Sequence, residues 1–367
     1  MHRVVHFGSV LQAYALQRVL QQMGIDNEII DYVYPNSWHL PQRHRCFVVD
    51  FLYSMRDFVI HIVSSVRKDS SNETNKIRLF IDKYLIKSRF EYNTVEELAD
   101  KCPKYDVYLT GSDQVWNTDY LRGDTSFFFS FVNEPHAKKV SYAASFGRFT
   151  LDGEDAKKWL SHLNSYSAIS VREVKAAEII RRYIGRSVEV VLDPTLLLSK
   201  QDWLNFSQTI NNQSRPYILV YVLTYAWDPF PFAESVIVKY QKELGCRVVV
   251  LEPISLQESF PDWIYMYNVS PQEFVWLFAN AELIITTSFH GTAFSVNLET
   301  SFYTIHRENG VNDDRISSLL EAVGLTDRLI YNNAMVPDFT KPNFEMAKGR
   351  LHTLRQQSLD YLSRNLC

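Results

Sequence analysis

The chain has 367 residues, of which 46% are hydrophobic and 22% are charged, a composition typical of soluble globular proteins. This length exceeds one ordinary hydrophobic core, so two domains are expected. The net charge of −4 provides no overall attraction to nucleic acid, and the sequence contains no zinc-knuckle pattern, recognition helix or basic tail.

The four cysteines are scattered and never adopt CxxC spacing. We interpret them as free thiols in a reducing compartment, rather than as a disulfide framework or a metal site. No signal peptide opens the sequence, and no run of 18 apolar residues lacks a charge. These features predict a cytoplasmic protein.

Helix and strand patterns alternate through the first half of the chain. Residues 11–23 carry apolar side chains at helical spacing, Gly24 follows as a C-cap, and residues 27–32 then read as a strand. Only the segment RVVHF precedes Gly8, so the strand expected before this helix is nearly missing. Further strands are predicted within 105–116, 138–147, 167–173 and 188–198, with helices at 154–164 and 173–183 between them.

Residues 47–68 have a narrow polar stripe on a helix that is otherwise apolar almost all round. This pattern is typical of a helix buried between domains or subunits. The alternative is a helix that lies in a membrane surface, with basic residues near its ends. Residues 68–76 follow as an expected exposed linker.

The second half contains continuous apolar runs at 217–223, 246–252, 282–288 and 301–306. Such runs are typical of strands covered on both faces, and hence of a parallel sheet between layers of helices. We therefore predict an α/β protein of two doubly wound, Rossmann-like domains that face a cleft. The expected division is 1–199 with a truncated first strand and a helical insertion at about 40–100, then 200–343, then a final helix within 344–367 that crosses back to the first domain.

In such sheets a ligand binds beyond the C-terminal ends of the strands. The polar residues close to those predicted ends are therefore the candidate site: Ser112, Asp113, Gln114, Ser145, Arg172, Asp193, Ser288, His290, His306 and Arg307. Their clustering at strand ends is the main physical argument for a binding site in this sequence.

His290 is predicted in the first turn of a helix, where backbone N–H groups and the positive dipole end attract anions and Gly291 permits close approach. A structural histidine is the alternative. Arg172 suits a carboxylate or phosphate, or else a salt bridge to Glu173 or Glu178. Asp193 could act as a base or a hydrogen-bond anchor, or could simply stabilise a turn before Pro194.

Several common motifs are missing. The segment TGSDQVW lacks the Gly-Lys-Ser/Thr end of a P-loop, and neither GxGxxG nor HExxH occurs. A dinucleotide cofactor and a bound metal are therefore not expected. Aromatic residues such as Trp116 and Trp227 could stack on sugar rings, although packing in the core is the default.

Seven segments in order along the chain resemble the polysaccharide pyruvyl transferase family. They are FGSVLQAYALQRVLQQMG (7–24), YDVYLTGSDQVWN (105–117), VSYAASFG (140–147), ISVRE (169–173), VVLDPTLLL (190–198), ELIITTSFHGTAFSV (282–296) and RISSLLEAVGL (315–325).

The resemblance implies a GT-B-like fold and the transfer of a pyruvyl group from phosphoenolpyruvate to two hydroxyls of a sugar, giving a ketal in capsular or other surface polysaccharide. It implies no cofactor. His290 and Asp193 would be catalytic, and the donor would contact Arg172, Ser288, Gly291, Arg307 and Arg315. The acceptor cleft would include Gly8, Ser112, Asp113, Gln114 and Trp116.

The family often has an arginine where this sequence has Ser288, so either one anion contact is missing here or Arg307 or Arg315 replaces it. A GT-B-like glycosyltransferase using a sugar nucleotide and a non-catalytic glycan-assembly protein are the alternatives. A sugar or lipid-linked oligosaccharide is the expected acceptor, and residues 47–68 would then contact the inner face of the membrane.

Overall fold

The computed structural model describes residues 1–33, 72–121, 123–147, 149–210, 216–224, 227–252, 259–307 and 314–367. The predicted helix at 47–68 lies outside these residues. None of the described helices combines the length and the hydrophobicity that a membrane-spanning segment needs.

The first half, up to residue 199, alternates helices with short parallel strands. In chain order these are α1 (Phe7–Gln22), β1 (Ile29–Tyr32), α2 (Asn72–Tyr84), β2 (Lys87–Tyr92), α3 (Val95–Lys101), β3 (Val107–Thr110), α4 (Thr118–Leu121), β4 (Lys138–Ser141), α5 (Gly153–Leu160), β5 (Ser170–Val171), α6 (Val174–Ile184) and β6 (Glu189–Val190). β1 pairs with β2, β3 with β4 and β5 with β6, and bridges from Val140 to Ala168 and from Ala144 to Val171 connect β4 to β5.

Residues 2–6 form turns and bends, and His6 caps α1 by accepting a hydrogen bond from the N–H of Gly8. Two local predictions in this half are wrong. The predicted linker at 68–76 is helical from Asn72 onward. The predicted helical insertion at 40–100 contains strand β2, which pairs with β1.

The second half follows the predicted alternation closely. Its elements are α7 (Lys200–Phe206), β7 (Tyr217–Tyr221), α8 (Phe232–Leu244), β8 (Arg247–Val250), β9 (Ile264–Tyr265), α9 (Pro271–Asn280), β10 (Leu283–Thr286), α10 (Phe289–Leu298), β11 (Phe302–His306), α11 (Arg315–Val323) and β12 (Leu329–Tyr331). The described strands form one parallel sheet in the order β12-β11-β10-β7-β8-β9. Every residue of β7 and β10 is buried, as expected for continuous apolar strands covered on both faces.

The last helix, α12 (Phe344–Leu366), reaches back to the first half. Tyr361 donates a hydrogen bond to the carbonyl of Ser141 at 2.9 Å, and the hydroxyl of Ser358 accepts one from the N–H of Leu192 at 3.0 Å. These contacts hold α12 beside β4 and β6. The division of the chain into domains at residues 199 and 343 stays a prediction.

The N-terminal end of α1 is packed firmly against the second half. Phe7 is 1% exposed and stacks on Phe274 of α9 with 4.6 Å between ring centroids. Burial of a phenylalanine side chain contributes about 2 kcal/mol of stability. This packing fixes where the next two residues, Gly8 and Ser9, lie.

Candidate functional site

The candidate site lies where the C-terminal ends of strands in the first half meet the first turns of α1 and α10. Ser112 and Asp113 follow β3, Arg172 and Glu173 follow β5, and Asp193 follows β6. Parallel strands bring their carboxyl ends to one edge of a sheet, which explains why residues so distant in sequence are assembled here. The second half contributes His290 from α10.

Arg172 and Asp193 form a buried ion pair at the centre of the site. Their Nη1 and Oδ2 atoms are 2.8 Å apart, and their side chains are 1% and 0% exposed. The other carboxylate oxygen of Asp193 accepts hydrogen bonds from the N–H and hydroxyl of Thr195 at 3.0 and 2.7 Å, while Ser112 Oγ lies 3.0 Å from Oδ2. Asp193 therefore holds the guanidinium in one orientation.

His290 lies in the first turn of α10, as the sequence predicts. Ser288 is the N-cap, and its hydroxyl accepts a hydrogen bond from the N–H of Gly291 at 3.3 Å. The Nε2 atom of His290 is 3.7 Å from Asp193 Oδ2. The neighbouring Phe289 ring lies under the guanidinium of Arg172, with 4.2 Å from Cζ to the ring centroid, so a cation–π contact joins the two halves.

Asp113 provides a second carboxylate on the same guanidinium. Its Oδ1 atom is 3.7 Å from Arg172 Nη2, and its Oδ2 accepts a hydrogen bond from the hydroxyl of Ser9 at 2.8 Å. Asp113 has a φ of 71°, a left-handed conformation that aspartate tolerates better than most side chains. The first turn of α1 is thereby tied to the end of β3.

Glu173 is the third buried carboxyl group of the site. Its Oε1 atom accepts hydrogen bonds from the hydroxyl of Ser145 at 2.9 Å and from the N–H of Phe146 at 3.0 Å. Its Oε2 atom is 3.9 Å from Arg172 Nε, which exceeds a hydrogen-bond distance.

Four polar atoms of the site are buried and have no hydrogen-bond partner among the described residues: Arg172 Nε, Arg172 Nη2, Glu173 Oε2 and His290 Nε2. Leaving buried polar atoms unpaired costs about 1–3 kcal/mol each, more for charged groups, so native proteins seldom do so without a functional reason. Two of these atoms are N–H donors of a permanent cation, and they suit an anionic ligand.

The three carboxyl groups have different pKa values. Burial alone would raise the pKa of Asp113, but the charges of His290 and Arg172 outweigh it and lower the pKa to about 2. The same balance of burial against His290 and Arg172 holds the pKa of Asp193 well below its usual range. Burial raises the pKa of Glu173 to about 7, against the opposing charges of Arg172 and Arg315. Glu173 is therefore the carboxyl group of this set that carries a proton near neutral pH.

Of the predicted site residues, the structure brings together Arg172, Asp193, His290, Ser112, Asp113 and Gly8. A Cβ atom on Gly8 would lie 2.1 Å from His290 Nδ1, so this glycine permits the contact of α1 with α10.

The remaining predicted residues have other surroundings. Trp116 is 0% exposed and stacks on Phe128 at 5.6 Å, so its place is in the hydrophobic core and the predicted cleft position is wrong. The amide oxygen of Gln114 accepts a hydrogen bond from Asn117. Gly291 packs against Thr286, where a Cβ atom would lie 2.4 Å from the hydroxyl.

The predicted arginines lie at two different places. Arg315 is the first residue of α11, and its charge acts on Glu173. Arg307 follows β11 and lies over the ring of Trp227, 5.7 Å from its centroid.

Sequence reasoning missed Ser9 and Thr195, and considered Glu173 only as an ion-pair partner of Arg172. Glu173 stands next to Arg172 at the end of a predicted strand, and this position could have marked it as a candidate. No comparable signal marked Ser9, whose partner Asp113 is 104 residues away along the chain.

Comparison with solved structures shows the fold. Methanocaldococcus jannaschii UDP-GlcNAc 2-epimerase is similar over 97% of this chain and 96% of its own, with a TM-score of 0.52 and 12% identity. The E. coli heptosyltransferase WaaC with ADP-2-deoxy-2-fluoro heptose is similar over 95% of this chain and 96% of its own, with a TM-score of 0.40 and 12% identity. The predicted architecture of two Rossmann-like units in a GT-B-like arrangement is confirmed.

A search of curated proteins finds no significant match. A sequence model of the polysaccharide pyruvyl transferase family matches residues 6–309, most of the chain and all of the site elements from α1 to β11. The resemblance drawn from the sequence is confirmed, and the chain belongs to the polysaccharide pyruvyl transferase family, a family of transferases.

Proposed function

We propose that this protein transfers a pyruvyl group from phosphoenolpyruvate to two hydroxyls of a sugar, forming a cyclic ketal. The observation that carries the proposal is the set of buried, unpaired hydrogen-bond donors on Arg172 and His290 beside the first turn of α10. Phosphoenolpyruvate has a carboxylate and a phosphate, and both are acceptors that these donors fit.

The two carboxylates next to the guanidinium are themselves bound within the protein: Asp193 accepts from Arg172 and Thr195, and Asp113 accepts from Ser9. The carboxylates therefore fix the direction of Arg172, while Nε and Nη2 remain for the ligand. A planar fork of two N–H groups held in this way suits bidentate binding of a carboxylate or phosphate.

The proposed reaction begins with a proton transfer to the methylene carbon of phosphoenolpyruvate. This makes C2 electrophilic, and the first sugar hydroxyl attacks it and loses its proton. The bond from C2 to the phosphate oxygen then breaks, phosphate leaves with the electron pair, and the second hydroxyl attacks C2 to close the ring. His290 either contacts the phosphate or supplies a proton, and these steps need acid–base groups and anion binding but no cofactor.

The proposed acceptor is a sugar or a lipid-linked oligosaccharide in the synthesis of a surface polysaccharide. Ser112 and Asp113, with Gly8, lie beside the donor-binding atoms and are the proposed acceptor contacts. For a lipid-linked acceptor we propose that the protein works at the cytoplasmic face of the membrane and that residues 47–68 contact the lipid surface. Flotation with liposomes tests this contact, and protein that stays with the soluble fraction would contradict it.

Calorimetric titration of phosphoenolpyruvate, with and without acceptor sugars, tests the donor. Arg172→Ala and His290→Ala are expected to abolish measurable binding. The matched control is Arg364→Ala, which removes a half-exposed arginine that pairs with Glu189 at 2.8 Å on the surface and should leave binding unchanged.

Titration with UDP and GDP sugars distinguishes the two alternatives. Binding of a sugar nucleotide but not phosphoenolpyruvate would indicate a glycosyltransferase. Binding of glycan alone, unaffected by Arg172→Ala, would indicate a non-catalytic glycan-assembly protein.

A further inference from the structure

Glu173 is the one carboxyl group of the site whose buried oxygen is left without a partner among the described residues. Both oxygens of Asp193 accept hydrogen bonds, and Asp113 is bound by Ser9. Glu173 differs because Ser145 and the N–H of Phe146 both bind Oε1, which leaves Oε2 directed to the side of Arg172.

We propose that Glu173, through Oε2, is the acid that protonates the methylene carbon of phosphoenolpyruvate. This inference rests on the proposed function and assigns the proton that the proposed reaction leaves open. A carboxylate bound by Arg172 Nε and Nη2 lies beside Oε2, because Oε2 is 3.9 Å from Nε. The methylene carbon is two bonds from that carboxylate carbon, so binding by Arg172 brings it within reach of Oε2.

The surroundings suit an acid that must hold its proton until the substrate is bound. Burial keeps the pKa of Glu173 at about 7, and the bound anion raises it further by adding negative charge nearby. The groups that face Glu173 are Arg172, Arg315 and Asp314, of which the two arginines stabilise the carboxylate and Asp314 opposes them. After the proton has left, the two arginines and the two hydrogen bonds to Oε1 stabilise the Glu173 carboxylate.

His290 is then the group that contacts the phosphate and, as the imidazolium, gives its proton to the departing phosphate. Its Nε2 atom lies 3.7 Å from Asp193 Oδ2, and that carboxylate stabilises the imidazolium.

The proton balance closes over one cycle. Glu173 gives its proton to the methylene carbon, the double-bond electrons form the new C–H bond, and the first hydroxyl adds to C2 while its proton passes to the Glu173 carboxylate. Phosphate leaves with the C–O electron pair and takes the proton of the His290 imidazolium. The second hydroxyl adds to C2, and its proton returns to His290.

The test compares Glu173→Gln with the wild-type protein in turnover, phosphoenolpyruvate affinity and exchange of the vinyl hydrogens of phosphoenolpyruvate in D₂O. Glutamine keeps the shape and the acceptor at Oε1 but cannot donate a proton to carbon. We expect turnover to fall by about 10² to 10⁴, exchange to stop, and donor affinity to stay within about threefold. Glu178→Gln, an exposed glutamate on α6 near Glu173, is the matched control and should keep full activity.

Ser145→Ala gives an independent measurement that does not remove Glu173. Loss of the hydrogen bond to Oε1 disfavours the carboxylate, so the pH at which turnover falls on the alkaline side should rise by about 0.5 to 1 unit. If Ser145→Ala has the same alkaline limb in its pH profile of turnover as the wild type, the assignment is contradicted. It is also contradicted if Glu173→Gln matches Glu178→Gln in turnover and in exchange of the vinyl hydrogens.

The outcomes separate the two proposals. Wild-type protein that forms ketal, with Glu173→Gln equally active, contradicts only the assignment of Glu173. Wild-type protein that neither binds phosphoenolpyruvate nor forms ketal contradicts the proposed function and this assignment with it.

Discussion

Gly8 lies against the imidazole of His290 with no room for a side chain, since a Cβ atom would stand 2.1 Å from Nδ1. The contact joins the first turn of α1 to the first turn of α10, two helices from opposite halves of the chain. His6, immediately before α1, lies 3.1 Å from the hydroxyl of Tyr221 on β7 through its Nε2 atom. The position of His290 therefore depends on how the two halves meet.

Gly8→Ala is expected to displace the His290 ring and reduce turnover by at least about tenfold, because even small misplacements of catalytic groups are costly. Its free energy of unfolding should fall by about 1–3 kcal/mol through overpacking. Steady-state kinetics and urea denaturation measure the two effects. Gly349→Ala is the control, since its Cβ would meet nothing within 4 Å in α12 and alanine should stabilise that helix by about 0.5–1 kcal/mol. Equal activity of the two variants would contradict the importance of the Gly8 contact.

Asp193→Asn should destabilise the protein by about 3–5 kcal/mol at neutral pH, because Arg172 keeps its charge in a buried site without its main partner. Since the pKa of Asp193 is held below its usual range, this contribution is present above about pH 4 and is lost as pH falls through the folded-state pKa. Urea denaturation at pH 7 measures the loss. Asp338→Asn, which breaks an exposed ion pair with Lys239, should change stability little. A comparable loss in both variants would show that burial of the pair is unimportant.

Glu173→Gln should stabilise the fold at alkaline pH. The pKa of Glu173 is about 7 in the folded protein, above the ordinary value of 4.5 for a glutamate, so the folded protein retains a proton that the unfolded chain releases between these two pH values. The free energy of unfolding of the wild-type protein therefore falls as pH rises through this range. At pH 8 Glu173→Gln should recover about 3 kcal/mol of that loss. Denaturation at pH 4 and at pH 8 tests this, and a difference between variant and wild type that does not change with pH would contradict it.

Ser288→Ala tests whether Ser288 contacts the donor or only caps α10. Its hydroxyl accepts from the N–H of Gly291, so we expect a loss of about 1 kcal/mol in the free energy of unfolding. Phosphoenolpyruvate affinity should change less than about threefold, because the unpaired donors belong to Arg172 and His290. Ser288→Asn, which keeps a capping group, is the matched control for stability. A large loss of affinity in Ser288→Ala would show that Ser288 binds the donor directly.

The strands of the second half follow from local pattern alone. The runs predicted at 217–223, 282–288 and 301–306 contain β7, β10 and β11, because strands covered on both faces need continuous apolar side chains. The same reasoning placed Arg172, Asp193 and His290 at strand ends, where parallel sheets bind ligands. Their residue types at these positions support the proposal that they bind an anion.

The contacts between these residues form between segments that are far apart in the sequence, so local sequence patterns cannot predict them. Ser9 and Asp113 are separated by 104 residues, and the environment of Glu173 combines Ser145 with the charge of Arg315 from the other half. Trp116 shows the reverse case. The polar residues next to it in the sequence suggested a binding cleft, but in the structure it packs against aromatic side chains of the core. Residue type and strand position therefore identified the candidates, but burial and long-range packing decide which of these groups are charged, which are paired and which stay unpaired.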